Sequence, residues 1–216
     1  SEHGHGEIAG HVDCAAMLRK AGRTVGTDLE ILEGAYANQA EMVLVGDYTA
    51  GLWVKDANVE NLTQIAQILT SDPGVGLVFS QPNEQYRDAV AGRVPGTLSE
   101  ALVFSENERG PDLRIVGRGD NHGGLTPTEL HAHLTCAGLA FTPTARRHKA
   151  PAGHDDLAKT MLTLMGAEAD HSPARLLDEA LKDDVDESYG VFTLRLSQGE
   201  LSMTIEHAHY AGRRYV

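Results

Sequence analysis

The chain has 216 residues, 41% of them hydrophobic, which suffices for the core of one large domain. Lys and Arg number 18 against 31 Asp and Glu, a formal charge of −13, so the average field repels nucleic-acid phosphates and anionic lipid and excludes a basic binding platform. No apolar run is long enough to span a bilayer. A small anionic substrate could still be held if a bound cation reversed the field locally, which directs attention to metal ligands.

In chain order, "HVDCAAMLRKAG" spaces Val12, Ala15, Ala16 and Leu18 for a helix that stops at Gly22 after Arg19 and Lys20. "EMVLVGDY" and "AGLWVKD" alternate as strands around Gly46 and Asp47, a hairpin. "NVENLTQIAQILTSDPG" opens on Asn58 as cap, carries Leu62, Ile65, Ile68 and Leu69 on one face, and ends before Pro73. "VGLVFS" and "LRIVGR" suit strands buried in a helix-covered sheet, and residues 93–112 between them read as a surface connection punctuated by Gly and Pro. Thr126, Pro127 and Glu129 start a helix expected to run through "LHAHLTCAG". Asp155 or Asp156 caps another, "SPARLLDEALK" forms a third, and "YGVFTLRLSQGELSMTIEHAHY" is a terminal hairpin around Gln198 and Gly199. Cys14 and Cys136 sit in apolar helical patterns and are too few for a disulfide framework. Strands interleaved with helices, with no linker of biased composition, predict a single α/β domain over residues 1–216.

The opening "SEHGHGEIAGHVDC" places Glu2, His3 and His5 just before the first helix, where a preceding strand would end. Sites in open α/β sheets gather outside the carboxyl ends of strands. A carboxylate beside an imidazole is half of a zinc site, both donors binding at about 2.0–2.2 Å. His122, in "GDNHGG", is a second candidate ligand, in a loop whose glycines permit close backbone approach. Solvated loop histidines are the alternative for each.

"SEHGHGEI", "AGLWVKD", "RGPDLRIVG", "NHGGLTPTELHAHLTCAG", "PAGHDDLAKTMLTLMG" and "ARLLDEAL" follow one another in an order that resembles the alkaline phosphatase superfamily, in its type I phosphodiesterase/nucleotide pyrophosphatase branch. The resemblance covers almost the whole chain. It implies a three-layer α/β/α sandwich and a hydrolase of small anionic phosphate esters, with two zinc ions side by side and a Thr or Ser attacking phosphorus. The family's Asp-His-Gly motif matches Glu2-His3-Gly4, so Glu2 and His3 would hold the ion beside the nucleophile; its later His-Gly motif matches His122-Gly123, so His122 would hold the other.

Two departures follow from the same comparison. Glu2 stands where the family has Asp, moving the carboxylate outward by about one C–C bond length. The nucleophile and the remaining ligands belong upstream of the family's Asp-His-Gly motif, so the chain resembles the C-terminal portion of such an enzyme, N-terminally incomplete and expected to be inactive alone. Three ligands shared between two ions would underhold both, because zinc sites use three or four protein ligands. Phosphomonoesterase, sulfatase and phosphonate hydrolase activities stay open within the superfamily, and a catalytically inert, metal-poor relative with a binding or structural role is the rival reading.

Other histidines have plainer readings. His5 could orient a ligand carboxylate, but with His11 is read as an exposed loop residue. His131 and His133 lie on different faces of their expected helix. His207 and His209 share one face of a terminal strand, where solvation explains them. The cluster His154-Asp155-Asp156 reads as a helix cap.

Overall fold

The computed structural model describes residues 12–28, 30, 39–85, 90–118, 123–143, 146–167 and 174–216. It is a mixed α/β chain that falls into two compact units. The first takes the described residues up to His131 together with Leu196–Met203; the second takes Ala132–Arg195 and Thr204–Val216, again in their described parts.

The first unit is built on a six-stranded mixed sheet of β1 (Val25–Thr27), β2 (Met42–Gly46), β3 (Thr49–Val54), β4 (Val75–Ser80), β5 (Leu98–Ser99) and β6 (Leu113–Gly117). The strands lie in the order β1-β2-β3-β6-β4-β5. β2 and β3 form the expected hairpin, with Leu44 opposite Leu52. β1, β2 and β6 run one way and β3, β4 and β5 the other, so Thr27, Gly46 and Gly117 end at the same edge of the sheet.

Two helices supply the apolar cover. In α1 (Cys14–Lys20), Asp13 Oδ1 accepts from Ala16 N at 2.8 Å, satisfying a free first-turn donor, while Arg19 and Lys20 sit at the negative end of the dipole. Helix α2 (Val59–Thr70) is capped by Asn58 Oδ1, which accepts from Asn61 N at 2.9 Å. Its Leu62, Ile65, Ala66 and Leu69 are buried against the sheet together with Leu18, Met42, Leu52, Leu113 and Ile115. Each large side chain removed from water in this way contributes about 1.5–3 kcal/mol. β4 is buried at all six positions, as befits a strand covered on both faces.

The segment 93–112 is more than a surface connection. It forms β5, then a 3₁₀ turn (Glu100–Val103), and buries Val94, Thr97, Leu98, Ser99 and Glu100. Its polar residues are satisfied locally: Ser80 Oγ and Thr97 Oγ1 share a 2.7 Å hydrogen bond, and Val94 N donates to Ser80 Oγ at 3.1 Å. Because β5 is only two residues long, the flank of β4 beside Val78 lacks a strand partner. The amide of Gln198 takes that place, Oε1 accepting from Val78 N at 2.7 Å and Nε2 donating to Val78 O at 3.3 Å and to Gly96 O at 2.5 Å.

A single turn, α3 (Pro127–Leu130), stands where a longer helix was expected, and the chain turns extended at His131. Residues 131–135 are exposed, Leu134 at 46%, so no packed face supports further turns.

In the second unit, α4 (His154–Leu164) starts after Gly153, not at an aspartate; Asp156 sits in the first turn and accepts from Gly153 N at 3.0 Å. The helix expected over "SPARLLDEALK" is reduced to α5 (Asp178–Leu181). The reason is competition for backbone donors: Arg175 N donates to Asp156 Oδ1 and Leu177 N to Thr160 Oγ1, at 2.9 and 3.0 Å. β7 (Gly190–Gln198), β8 (Leu201–Tyr210) and β9 (Arg213–Tyr215) form a three-stranded antiparallel sheet that includes the predicted terminal hairpin; its Leu196–Met203 portion is counted with the first unit and the rest with the second.

Candidate metal centre

Glu2, His3 and His122, the ligands read from the sequence, lie outside the described residues, as do His5 and His11. Among the described residues no group of three or more His, Cys, Asp or Glu side chains is arranged to hold a metal ion.

The chain that follows His122 is anchored to the sheet. β6 ends at Gly117, whose N–H donates to Tyr48 O at 2.9 Å. The chain is described again from Gly123, whose carbonyl accepts from Thr49 Oγ1 at 2.8 Å. Thr49 begins β3, beside Val116 of β6, so residue 123 is tied to the sheet edge at which β1, β2 and β6 end. Gly123 has φ +75°, a left-handed conformation that side chains resist. At Gly124 a Cβ would fall 2.3 Å from Glu129 Oε1, because the buried Glu129 carboxylate folds back over the loop. That carboxylate accepts from Gly124 N at 3.2 Å, Thr126 N at 3.1 Å and Thr126 Oγ1 at 2.8 Å. The Thr-Pro-Thr-Glu signal therefore positions the residues that follow His122.

The remaining candidates are separate. His131 and His133 are not helical; both are exposed, and His133 Nε2 shares a 2.6 Å hydrogen bond with Thr135 Oγ1. On β8, His207 is half-buried, and the exposed His209 packs its ring 4.5 Å from that of Phe192.

Asp156 does more than cap. It is fully buried, and besides Gly153 N it accepts from Arg175 N, Arg213 Nη1 and Tyr215 Oη, each at 2.9 Å. Arg175 in turn donates to both Glu179 oxygens at 2.7 Å and to Tyr215 Oη at 2.9 Å, and its guanidinium lies 4.6 Å from the Tyr210 ring centre. Burial, followed by the bond to Asp156, pushes the Tyr215 hydroxyl up to about 12. Burial alone would lower Arg175, but Glu179 and Tyr215 outweigh it and hold the guanidinium more firmly charged. A network with each charge matched is a structural hub.

Another buried carboxylate, Glu100, lies at the opposite sheet edge, where β4 and β5 end. Burial raises its pKa against the opposing pull of Arg114. Both oxygens are engaged, Oε1 by Arg114 Nε at 3.2 Å and Oε2 by Gln81 Nε2 at 2.9 Å. Sequence reading missed this group because its partners come from two other strand ends.

No family model, no curated protein and no solved structure matches this chain.

Proposed function

We propose that the chain forms part of a metal-dependent hydrolase of phosphate esters, of phosphodiesterase/nucleotide pyrophosphatase type, with a three-layer sandwich of the alkaline-phosphatase kind. Glu2 and His3 hold one zinc ion and His122 the other. The reading is carried by the ordered motifs, above all Glu2-His3-Gly4 and His122-Gly123. It gains support from the anchoring of Gly123 to Thr49 at an edge where three strands end, the part of an α/β sheet where sites are built. Zinc there would lower the pKa of a bound hydroxyl and neutralise phosphoryl charge. Phosphomonoester, sulfate and phosphonate substrates belong to the same chemistry, and the test separates them from phosphodiesters.

The experiment combines metal analysis of the chain with turnover of bis(4-nitrophenyl) phosphate by a protein that carries it together with upstream residues. Zinc content is expected to fall in His3→Ala and His122→Ala, and turnover to vanish on chelation and return with zinc. Full turnover after exhaustive metal removal, or zinc content unaffected by both substitutions, would overturn the proposal. Little or no bound zinc together with no turnover of any ester favours the inert, metal-poor relative, for which Glu2 in place of Asp is the motivating observation.

A further inference from the structure

Within the second unit, Arg146, Arg147, Lys149 and residues 185–189 line an open depression of about 720 Å³. Glu187 joins its two walls. The carboxylate accepts from the backbone N–H groups of Lys149 and Ala150, from His148 Nδ1 at 3.0 Å and from Arg146 Nη2 at 3.3 Å. The other acid, Asp186, accepts from Ser188 N at 2.9 Å. Both anions are thus engaged in building the walls. Arg147 and Lys149 are exposed and make no ion pair among the described residues. In a chain of charge −13, three basic side chains converge here against two committed carboxylates. The exposed ring of Tyr189 lines the same depression.

We propose that this depression binds a phosphate group, with Arg147 and Lys149 donating to its oxygens and Arg146 supplying a further guanidinium edge. The chemistry fits: guanidinium and ammonium groups make charge-assisted hydrogen bonds to phosphate, Arg in a planar fork and Lys as a point charge. The volume lies within the range of about 300–1,000 Å³ found for small-molecule pockets, larger than orthophosphate requires. The phosphate can therefore be free or carry an organic group, and Tyr189 offers such a group an aromatic face. The site needs no metal and does not depend on the hydrolase reading.

The full chain, in low-salt buffer with EDTA to exclude any zinc-held phosphate, is titrated calorimetrically with inorganic phosphate and with adenosine monophosphate. Saturable binding is expected, weakened about tenfold or more in the Arg147→Ala/Lys149→Ala double variant and progressively by added salt. Circular dichroism melts are expected to match those of the parent. Arg147→Gln alone, at an exposed position, is expected to weaken binding several-fold and serves if the double variant folds poorly. Tighter binding of the nucleotide that falls to the inorganic level in Tyr189→Leu identifies a nucleoside as the attached group, and equal affinities identify phosphate alone. No saturable binding of either compound, or unchanged affinity in the basic-residue variants, would overturn the proposal.

Discussion

Asp156 is one carboxylate accepting four hydrogen bonds in a fully buried position, two of its partners being the backbone donors Gly153 N and Arg175 N. Removing it leaves Arg213 ion-paired with Asp155 alone and takes away the acceptor of the Tyr215 O–H, whose oxygen keeps only the bond from Arg175 Nε. Breaking a buried pair from one side costs about 3–5 kcal/mol, and Asp156→Ala is expected to lose that much in urea denaturation. Glu187 governs the acid side. Backbone donation from Lys149, opposed by partial burial and helped by His148, lowers its pKa from 4.5 to about 2. A carboxylate lowered in the folded state contributes stability that is complete above its unfolded pKa and is lost as pH falls through the folded one. Acid titration followed by circular dichroism should therefore show stability draining between pH 4.5 and 2, and Glu187→Gln should flatten that slope.

At the scale of elements, Gly76 forms the bulge in β4: Val75 pairs with Gly117 and Leu77 with Val116, leaving one residue over. A Cβ there would lie 2.7 Å from Gly117 O and 2.8 Å from Val116 O, backbone atoms that cannot swing aside. Gly76→Ala is expected to cost about 1–3 kcal/mol, read as a lower urea midpoint with an unchanged slope. Gly190→Ala, whose Cβ would find nothing nearer than 3.7 Å, should stay within about 0.5 kcal/mol. Elements whose reasons are local were legible in the sequence: α2 through Asn58 and its apolar stripe, the β2–β3 hairpin through alternation, and the α3 cap through Thr126 and Glu129. Where distant groups decide, the sequence reading failed. Helix α5 is short because side chains of α4 claim the backbone donors of Arg175 and Leu177. Around Asp156 the sequence pattern indicates only a helix cap, because its other partners stand 19 to 59 residues away. Of the candidate metal centre, residue types and motif order could be read, and the structure adds the frame around Gly123.

For the molecule as a whole, period and composition led to the mixed α/β class and to the terminal hairpin, since buried β runs and amphipathic helices alternate along the chain. They did not reveal that β3 and β6 are neighbours, with β6 then meeting β4, because pairing order depends on contacts between strands far apart in sequence. Gln198 carries that logic furthest, reaching Val78 across 120 residues. During synthesis, β4 emerges from the ribosome long before the amide that seals its open flank. Until then "VGLVFS", apolar and uncharged, is a bare template on which a neighbouring chain can stack, so the nascent chain is expected to be most prone to self-association in the interval before Gln198 emerges.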